Sequence, residues 1–345
     1  MNILIVKLSA IGDVVHALPF LESLHKGVPG AKIDWVVEEA SSRLLEGHPA
    51  VNRIILSRRK SWQNELIKKG KALSVLKKSA RFLNELRATH YDWVIDLQGL
   101  LKSGVLVGLS KGNRKIGMSG SREGACLFLK EAPVQVNHDH HAIDRYLKVA
   151  EYLGCDTSGW DGRIPFFETD RRSIERILDQ DGRGTMPLVA INPMAKWPTK
   201  LWGSEQFATL ADRISDDSGC AVAFTGSTSD RHVIDHITGM MRTVPLNLAG
   251  RTDLKELAYL YTRVKILVTT DTGPMHIAAA MGCPVVALFG PTAPWRTGPY
   301  GSRHKVIRTG VGCSPCFKKE CDHMICMKEI TVDEVFEGVK EMLDE

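Results

Sequence analysis

Residues 266–292, ILVTTDTGPMHIAAAMGCPVVALFGPT, leave few folds open to the chain. Five strand-forming residues, 266–270, run into Asp271-Thr272-Gly273-Pro274, and a slim helix of small residues follows from His276. Asp271 or Thr272 can cap that helix, and Gly273 keeps side-chain bulk away from its start. Pro274 suits the first helical position, where a missing N–H costs nothing. Gly282 ends the helix and Pro284 opens a second apolar strand, 285–289. Two strands joined through a helix form a βαβ unit, which requires a parallel sheet covered by helices. The open N–H groups at such a helix start, just past the carboxyl end of a strand, are where α/β proteins bind phosphate. From these residues alone, a plain, well-capped crossover reads as well as a phosphate site.

The same alternation runs through the 345 residues. Strand-like runs at 3–7, 31–37, 53–56 and 93–97 precede others at 188–192, 221–225, 266–270 and 285–289. Helical patterns such as 66–86 and 206–215 separate them, which predicts an α/β chain of parallel sheets with helices on both faces. Pro165-Phe166-Phe167 reads as the end of one unit, and the loop 181–187 as the entry to a second. The expected division is therefore residues 1–168, a linker at 169–186 and residues 187–325. A closing segment, 326–345, carries a capped helix over 331–343 that is expected to return to the first unit. Two Rossmann-like units facing a cleft is the economical arrangement.

Hydrophobic content of 43% and charged content of 25% belong to a globular chain. No apolar run approaches the ~18 residues of a membrane span, and the first strand is too short for a signal peptide. A cytoplasmic protein with reduced cysteines is expected. The net charge of +5 is unevenly spread: between Arg53 and Arg87 eleven Lys and Arg face two Glu, a local excess of +9. Such a local excess points to an anionic partner: nucleic acid, acidic lipid or a phosphorylated substrate. Aromatic residues interleave it too thinly for a single-strand binder. Leu66, Leu73, Leu76, Ala80 and Leu83 recur at helical spacing and read as its core-facing stripe.

Candidate sites gather at strand ends. Lys7-Leu-Ser-Ala-Ile-Gly-Asp13 lies between a strand and a helix, so Asp13 is either a helix cap or a carboxylate placed as a general base. Lys196 and Lys200 lie in the loop after strand 188–192, where a lysine can offset a diphosphate as a compact charge. The turn 225–230 is a further strand-to-helix turn at that edge. There is neither a Walker loop nor a GxGxxG fingerprint, so P-loop nucleotidases and conventional dinucleotide dehydrogenases are not supported. His138-Asp139-His140-His141 reads as a helix entry rather than a metal site. Cys313, Cys316, Cys321 and Cys326 have a spacing that can hold zinc or an iron–sulfur centre, or can pack as reduced thiols.

Together these motifs resemble the ADP-heptose family of inverting glycosyltransferases, glycosyltransferase family 9. Residues 5–14 with His16-Ala-Leu-Pro19, residues 34–39 and residues 91–103 are similar to its amino-terminal and acceptor-side stretches. Asp271-Thr-Gly-Pro-Met-His276 and Phe289-Gly-Pro-Thr292 look like its donor-site hallmark. The resemblance implies a GT-B fold, in which two Rossmann-like domains put their parallel sheets toward a central cleft. It implies heptose transfer from ADP-heptose to a Kdo residue of Kdo2-lipid A, with the early motifs favouring type I over type II members. Asp13 would be the base and Lys200 would offset leaving-group charge. Lys196, Thr252, Asp271, Thr272, Gly273 and His276 would bind the donor. Arg58, Arg59, Lys60, Gln98, Lys102, Arg122 and His141 would meet the anionic acceptor. No cofactor and no catalytic metal are implied, and the chain would work peripherally on the cytoplasmic face of the inner membrane. The competing readings are a type II enzyme with a heptosylated acceptor, and a non-enzymatic nucleotide- or RNA-binding module.

Overall fold

The computed structural model describes residues 1–69 and 72–344. The chain divides into two units, Met1–Pro165 and a second that begins at Phe166. Both are doubly wound. The first holds strands β1 (Asn2–Val6), β2 (Lys32–Glu38), β3 (Arg53–Ser57), β4 (Tyr91–Asp96) and β5 (Gly112–Gly117), in the order β3-β2-β1-β4-β5. The second holds β6 (Leu188–Asn192), β7 (Ala221–Phe224), β8 (Leu246–Asn247), β9 (Ile266–Thr270), β10 (Val285–Leu288) and β11 (His304–Ile307), in the order β11-β10-β9-β6-β7-β8. Every pairing is parallel.

The order reverses between β1 and β4 in one unit and between β6 and β9 in the other. Strand ends diverge at such a switch point, which leaves a crevice outside their carboxyl termini. All eight expected strands are present to within two residues. The three that were not foreseen are edge strands, β5, β8 and β11. Edge strands are buried less completely, so their residues (GNRKIG, LN and HKVI) carry no apolar run to betray them.

Two boundaries differ from expectation. The charged helix Glu168–Gln180 is not a free linker but part of the second unit. Its Glu175 carboxylate accepts from Arg263 at 2.7 Å and from the Tyr259 hydroxyl, and Phe166 meets the Tyr259 ring edge-on at 5.1 Å. The terminal helix Val332–Asp344 does not return to the first unit. It buries Val335, Phe336 and Val339 in the second unit's core beside Phe207 and Ile214, and Arg213 stacks on Phe336 at 4.1 Å. Its apolar stripe was legible in sequence, but not the surface that would receive it.

The basic segment differs most. The described residues are helical over Arg59–Lys69 and Ala72–Leu86, positions 70 and 71 of the expected 66–86 helix lie outside the described residues, and most of the expected stripe is on the wrong side. Phe82 and Leu86 are the residues that pack inward, with Trp62 edge-on to Phe82 at 5.6 Å. Leu66, Leu73 and Leu76 are 48, 77 and 67% exposed, and Ile67 is 80% exposed. Ala80 is exposed as well, and Leu83 is half-buried.

Candidate active site

In the first unit the loop after β1 is held from below by a buried lysine. Lys7 Nζ donates to the Leu97 carbonyl at 3.0 Å and to the Tyr146 hydroxyl at 2.7 Å. Burial opposes its charge, but Asp13, Tyr146 and Asp96 outweigh burial and raise its pKa. Gln98 Oε1 accepts from the N–H groups of Leu8 and Ser9 at 3.2 and 3.1 Å, which fastens the β1 and β4 exits across the switch point. Gln98 is therefore a clamp on the loop that carries the candidate base. Asp13 stands in the first turn of the helix Ile11–His16, and its Oδ2 accepts from the Ala10 N–H at 3.0 Å. The cap and base readings coexist, because a carboxylate has further lone pairs to accept a proton.

Three of the expected acceptor cations collect around one residue that sequence reading passed over, Glu38 at the end of β2. This buried carboxylate pairs with Lys60 at 2.7 Å, Lys102 at 3.5 Å and Arg59 at 3.6 Å. Burial would raise its pKa, but Lys60, Lys102 and Arg59 together hold it below the usual carboxylate value. Lys102 also donates to Ser9 Oγ at 2.8 Å. Arg58 pairs with Glu39 at 3.2 Å on the exposed side. Arg122 is exposed, and its N–H bonds to the Gly99 carbonyl at 2.8 Å. His141 is a buried N-cap: its Nδ1 accepts from Ile143 N–H at 3.2 Å, and His16 lies edge-on at 5.0 Å. The structure thus gives His141 to helix entry, and the signal for it was the predicted helix start itself.

In the second unit the turn after β9 is built as its sequence reads. Thr272 is the N-cap of the helix Gly273–Ala280, and Pro274 sits in its first turn. Thr272 makes no side-chain cap bond, so its hydroxyl is not engaged with its own helix. Asp271 is nearly buried and holds two partners: Lys200 Nζ at 2.6 Å and Thr292 Oγ1 at 2.7 Å. Lys200 also lies 4.5 Å from the Trp197 ring centroid. This geometry separates the two lysines, since Lys196 is exposed while Lys200 stands beside the helix start. Thr292, part of the expected hallmark Phe289-Gly-Pro-Thr292 but given no role of its own there, comes from the Gly-Pro-Thr that follows β10. His276 is buried one turn into the helix, and Thr252 precedes the Asp253 cap of the helix Leu254–Arg263. The arrangement is a cation, a helix N-terminus and a hydroxyl at one carboxyl edge, which suits a diphosphate.

Among the described residues, no group of three or more His, Cys, Asp or Glu side chains is arranged to hold a metal ion as it stands. Asp179 lies in the last turn of the Glu168–Gln180 helix and Asp181 is its C-cap. Among the described residues, no helix is long and apolar enough to cross a membrane.

Two parallel doubly wound units, each with its polar side chains at the switch point, form the GT-B class of glycosyltransferase. A solved family 9 glycosyltransferase from Veillonella parvula superposes with a TM-score of 0.84 at 28% identity, over 99% of this chain and 97% of that one. The E. coli heptosyltransferase WaaC with ADP gives 0.76 at 26% identity, over 99 and 100%. Lipopolysaccharide heptosyltransferase 1 of Pseudomonas aeruginosa is 30% identical, over 94% of this chain and 88% of its own length. The chain belongs to glycosyltransferase family 9 (heptosyltransferase), whose model matches residues 79–325.

Proposed function

We propose that this glycosyltransferase moves L-glycero-D-manno-heptose from ADP-heptose to a Kdo residue of Kdo2-lipid A, with inversion at the anomeric carbon. The observation that carries the reading is the Lys200–Asp271–Thr292 cluster at the open start of the Gly273–Ala280 helix. Asp13 takes the proton of the acceptor hydroxyl as its oxygen attacks the anomeric carbon. The bond to the diphosphate oxygen breaks, and ADP leaves. Lys200, together with the N–H groups and hydroxyl at Thr272 and Gly273, offsets the charge that builds on the departing diphosphate. Asp271 accepts from heptose hydroxyls, and Thr252 lies on the nucleoside side. Arg58, Arg59, Lys60 and Lys102 give the acceptor's acidic groups a cationic surface at the β2 exit.

The same proposal places the enzyme at the cytoplasmic face of an anionic inner membrane. The support is the helical segments Arg59–Lys69 and Ala72–Leu86. Four large apolar side chains, Leu66, Ile67, Leu73 and Leu76, are exposed beside the exposed cations Lys77, Lys78 and Arg81. Apolar surface rimmed by cations is the composition of an interfacial helix.

The deciding experiment measures ADP release from ADP-heptose with Kdo2-lipid A, and in parallel with a heptosylated core acceptor. Turnover with the first alone supports the reading. Turnover confined to the heptosylated acceptor replaces it with the type II enzyme. Salt-sensitive RNA binding without turnover of any sugar nucleotide replaces it with a binding module.

A further inference from the structure

After β11 the chain runs from residue 308 to 324 without a helix or strand. A structureless run of this length inside a folded unit calls for something to hold it. Side-chain burial does little here, since Phe317 is 44% exposed and Val311 only grazes the core. What the segment does contain is three of the chain's eight cysteines, with a fourth just beyond it. Cys313, Cys316, Cys321 and Cys326, with His323, line a single cavity of about 50 Å³. That space suits one ion and is too small for a nucleotide or a sugar. None of the eight cysteines is in a disulfide.

Two nitrogen groups stand close to the Cys321 sulfur. Its Sγ accepts from the Met324 backbone N–H at 3.5 Å and lies 3.6 Å from the His323 Nε2. Donors turned toward a ligating sulfur are the usual outer support of such sites. Cys326, at the back, is packed under the strand exit: a Cβ added to Gly290 would come within 3.1 Å of its sulfur and 2.5 Å of Met327 Sδ. We propose that Cys313, Cys316, Cys321 and Cys326 hold one tetrahedral transition-metal ion, zinc or iron, with His323 supporting Cys321. Four thiolates at the vertices of a tetrahedron are the preferred set of these soft-ligand ions. Loading turns the thiols inward about their side-chain torsions and releases their protons to solvent.

The ion's place in the molecule gives it a task. Ser314 Oγ donates to the Gly290 carbonyl at 2.6 Å, and the Phe317 N–H donates to the Pro291 carbonyl at 2.8 Å. Thr199 Oγ1 donates to the Lys318 carbonyl at 2.8 Å. Pro291 and Thr199 are the immediate chain neighbours of Thr292 and Lys200, and Gly290 directly precedes Pro291. The metal therefore clips a loop that buttresses two residues of the Asp271 cluster, and it takes no part in bond making.

The test uses the full chain, purified without oxygen or chelator, with zinc and iron measured by mass spectrometry. About one equivalent of zinc or iron per chain is expected. Metal-depleted protein titrated with Co²⁺ should show a sulfur-to-metal charge-transfer band and the intense visible bands of a tetrahedral ion. Alkylation followed by peptide mapping should find these four cysteines protected only in the loaded protein. In Cys316→Ser/Cys321→Ser, metal content should fall about tenfold or more and the Co²⁺ bands should vanish. Wild-type protein that gives no thiolate band with Co²⁺ overturns the proposal, as does metal content unchanged in the variant. Acid-labile sulfide with several irons per chain overturns the single-ion site in favour of a cluster. The wild-type measurements require neither a folded variant nor any activity.

Discussion

The two charged regions of this enzyme are built in opposite ways. At the β9 exit one lysine, one carboxylate and one hydroxyl are locked together at 2.6 and 2.7 Å in a nearly buried cluster, on a helix start whose shape local sequence dictates. At the β2 exit four cations, Arg58, Arg59, Lys60 and Lys102, spread over Glu38 and Glu39 at 2.7–3.6 Å, and all but Lys102 have long side chains open to solvent. On the proposed function, the difference matches what each would bind. A diphosphate is small and its charge has a fixed geometry, so a preorganised site serves it best. A lipid-borne acceptor is large and multiply charged, and flexible cations can follow it at the cost of ordering side chains on binding.

The contrast can be broken most sharply at the chemistry. Asp13→Asn should lower kcat about 10²–10⁴-fold while ADP-heptose affinity, measured by calorimetry, changes little. Near-wild-type turnover would remove Asp13 as the base. Lys200→Ala should cost about 10²–10³-fold in kcat/KM, whereas Lys196→Ala should leave steady-state constants nearly unchanged. Equal losses from both would erase the distinction between the paired and the exposed lysine.

A smaller effect is expected at the helical pair. Leu73→Ser/Leu76→Ser should weaken sedimentation with vesicles of mixed neutral and anionic lipid about tenfold, since burial of each leucine is worth about 1.5–3 kcal/mol when complete. Its melting temperature should hold, because both residues are exposed. Phe82→Ala, from the face that does pack, should instead lower stability by about 3 kcal/mol. Vesicle binding that survives the serine pair would move the membrane surface elsewhere.

The smallest effect concerns Glu38. Its pKa is lowered in the folded chain, so its pairing stabilises the fold above the ordinary carboxyl value of 4.5 and is lost as pH falls through the lowered one. Glu38→Gln should therefore flatten the acid limb of the stability profile below about pH 4.5. Half-exposed partners keep the effect within about 1 kcal/mol. An unchanged acid limb would show that the three cations act independently of Glu38.

Much of the fold was legible because its signals are local. The β6 and β9 strands open on apolar runs, LVAI and ILV, and Asp-Thr-Gly-Pro carries the local signals of a helix start. The Asp271 turn could be read as a phosphate-type helix start, and Asp13 as a residue at a strand exit. Where burial is partial the signal fades, as in β5 and β11. On the helix Ala72–Leu86 it misleads, because leucines at helical spacing identify an apolar face without saying whether protein or another surface covers it.

By itself the sequence determined the alternation of strand and helix, the helix starts, the cysteine spacing and the charge excess of residues 53–87, since each depends on neighbours within a few positions. Only the tertiary structure decided which strands neighbour each other. That order puts Lys200 and Thr292 on Asp271 and gathers Lys60, Arg59 and Lys102 on Glu38. It also decided that the terminal helix stays on the second unit and that Leu73 and Leu76 face outward. Those outcomes depend on which surfaces compete to be buried, a choice made among residues tens to a hundred positions apart.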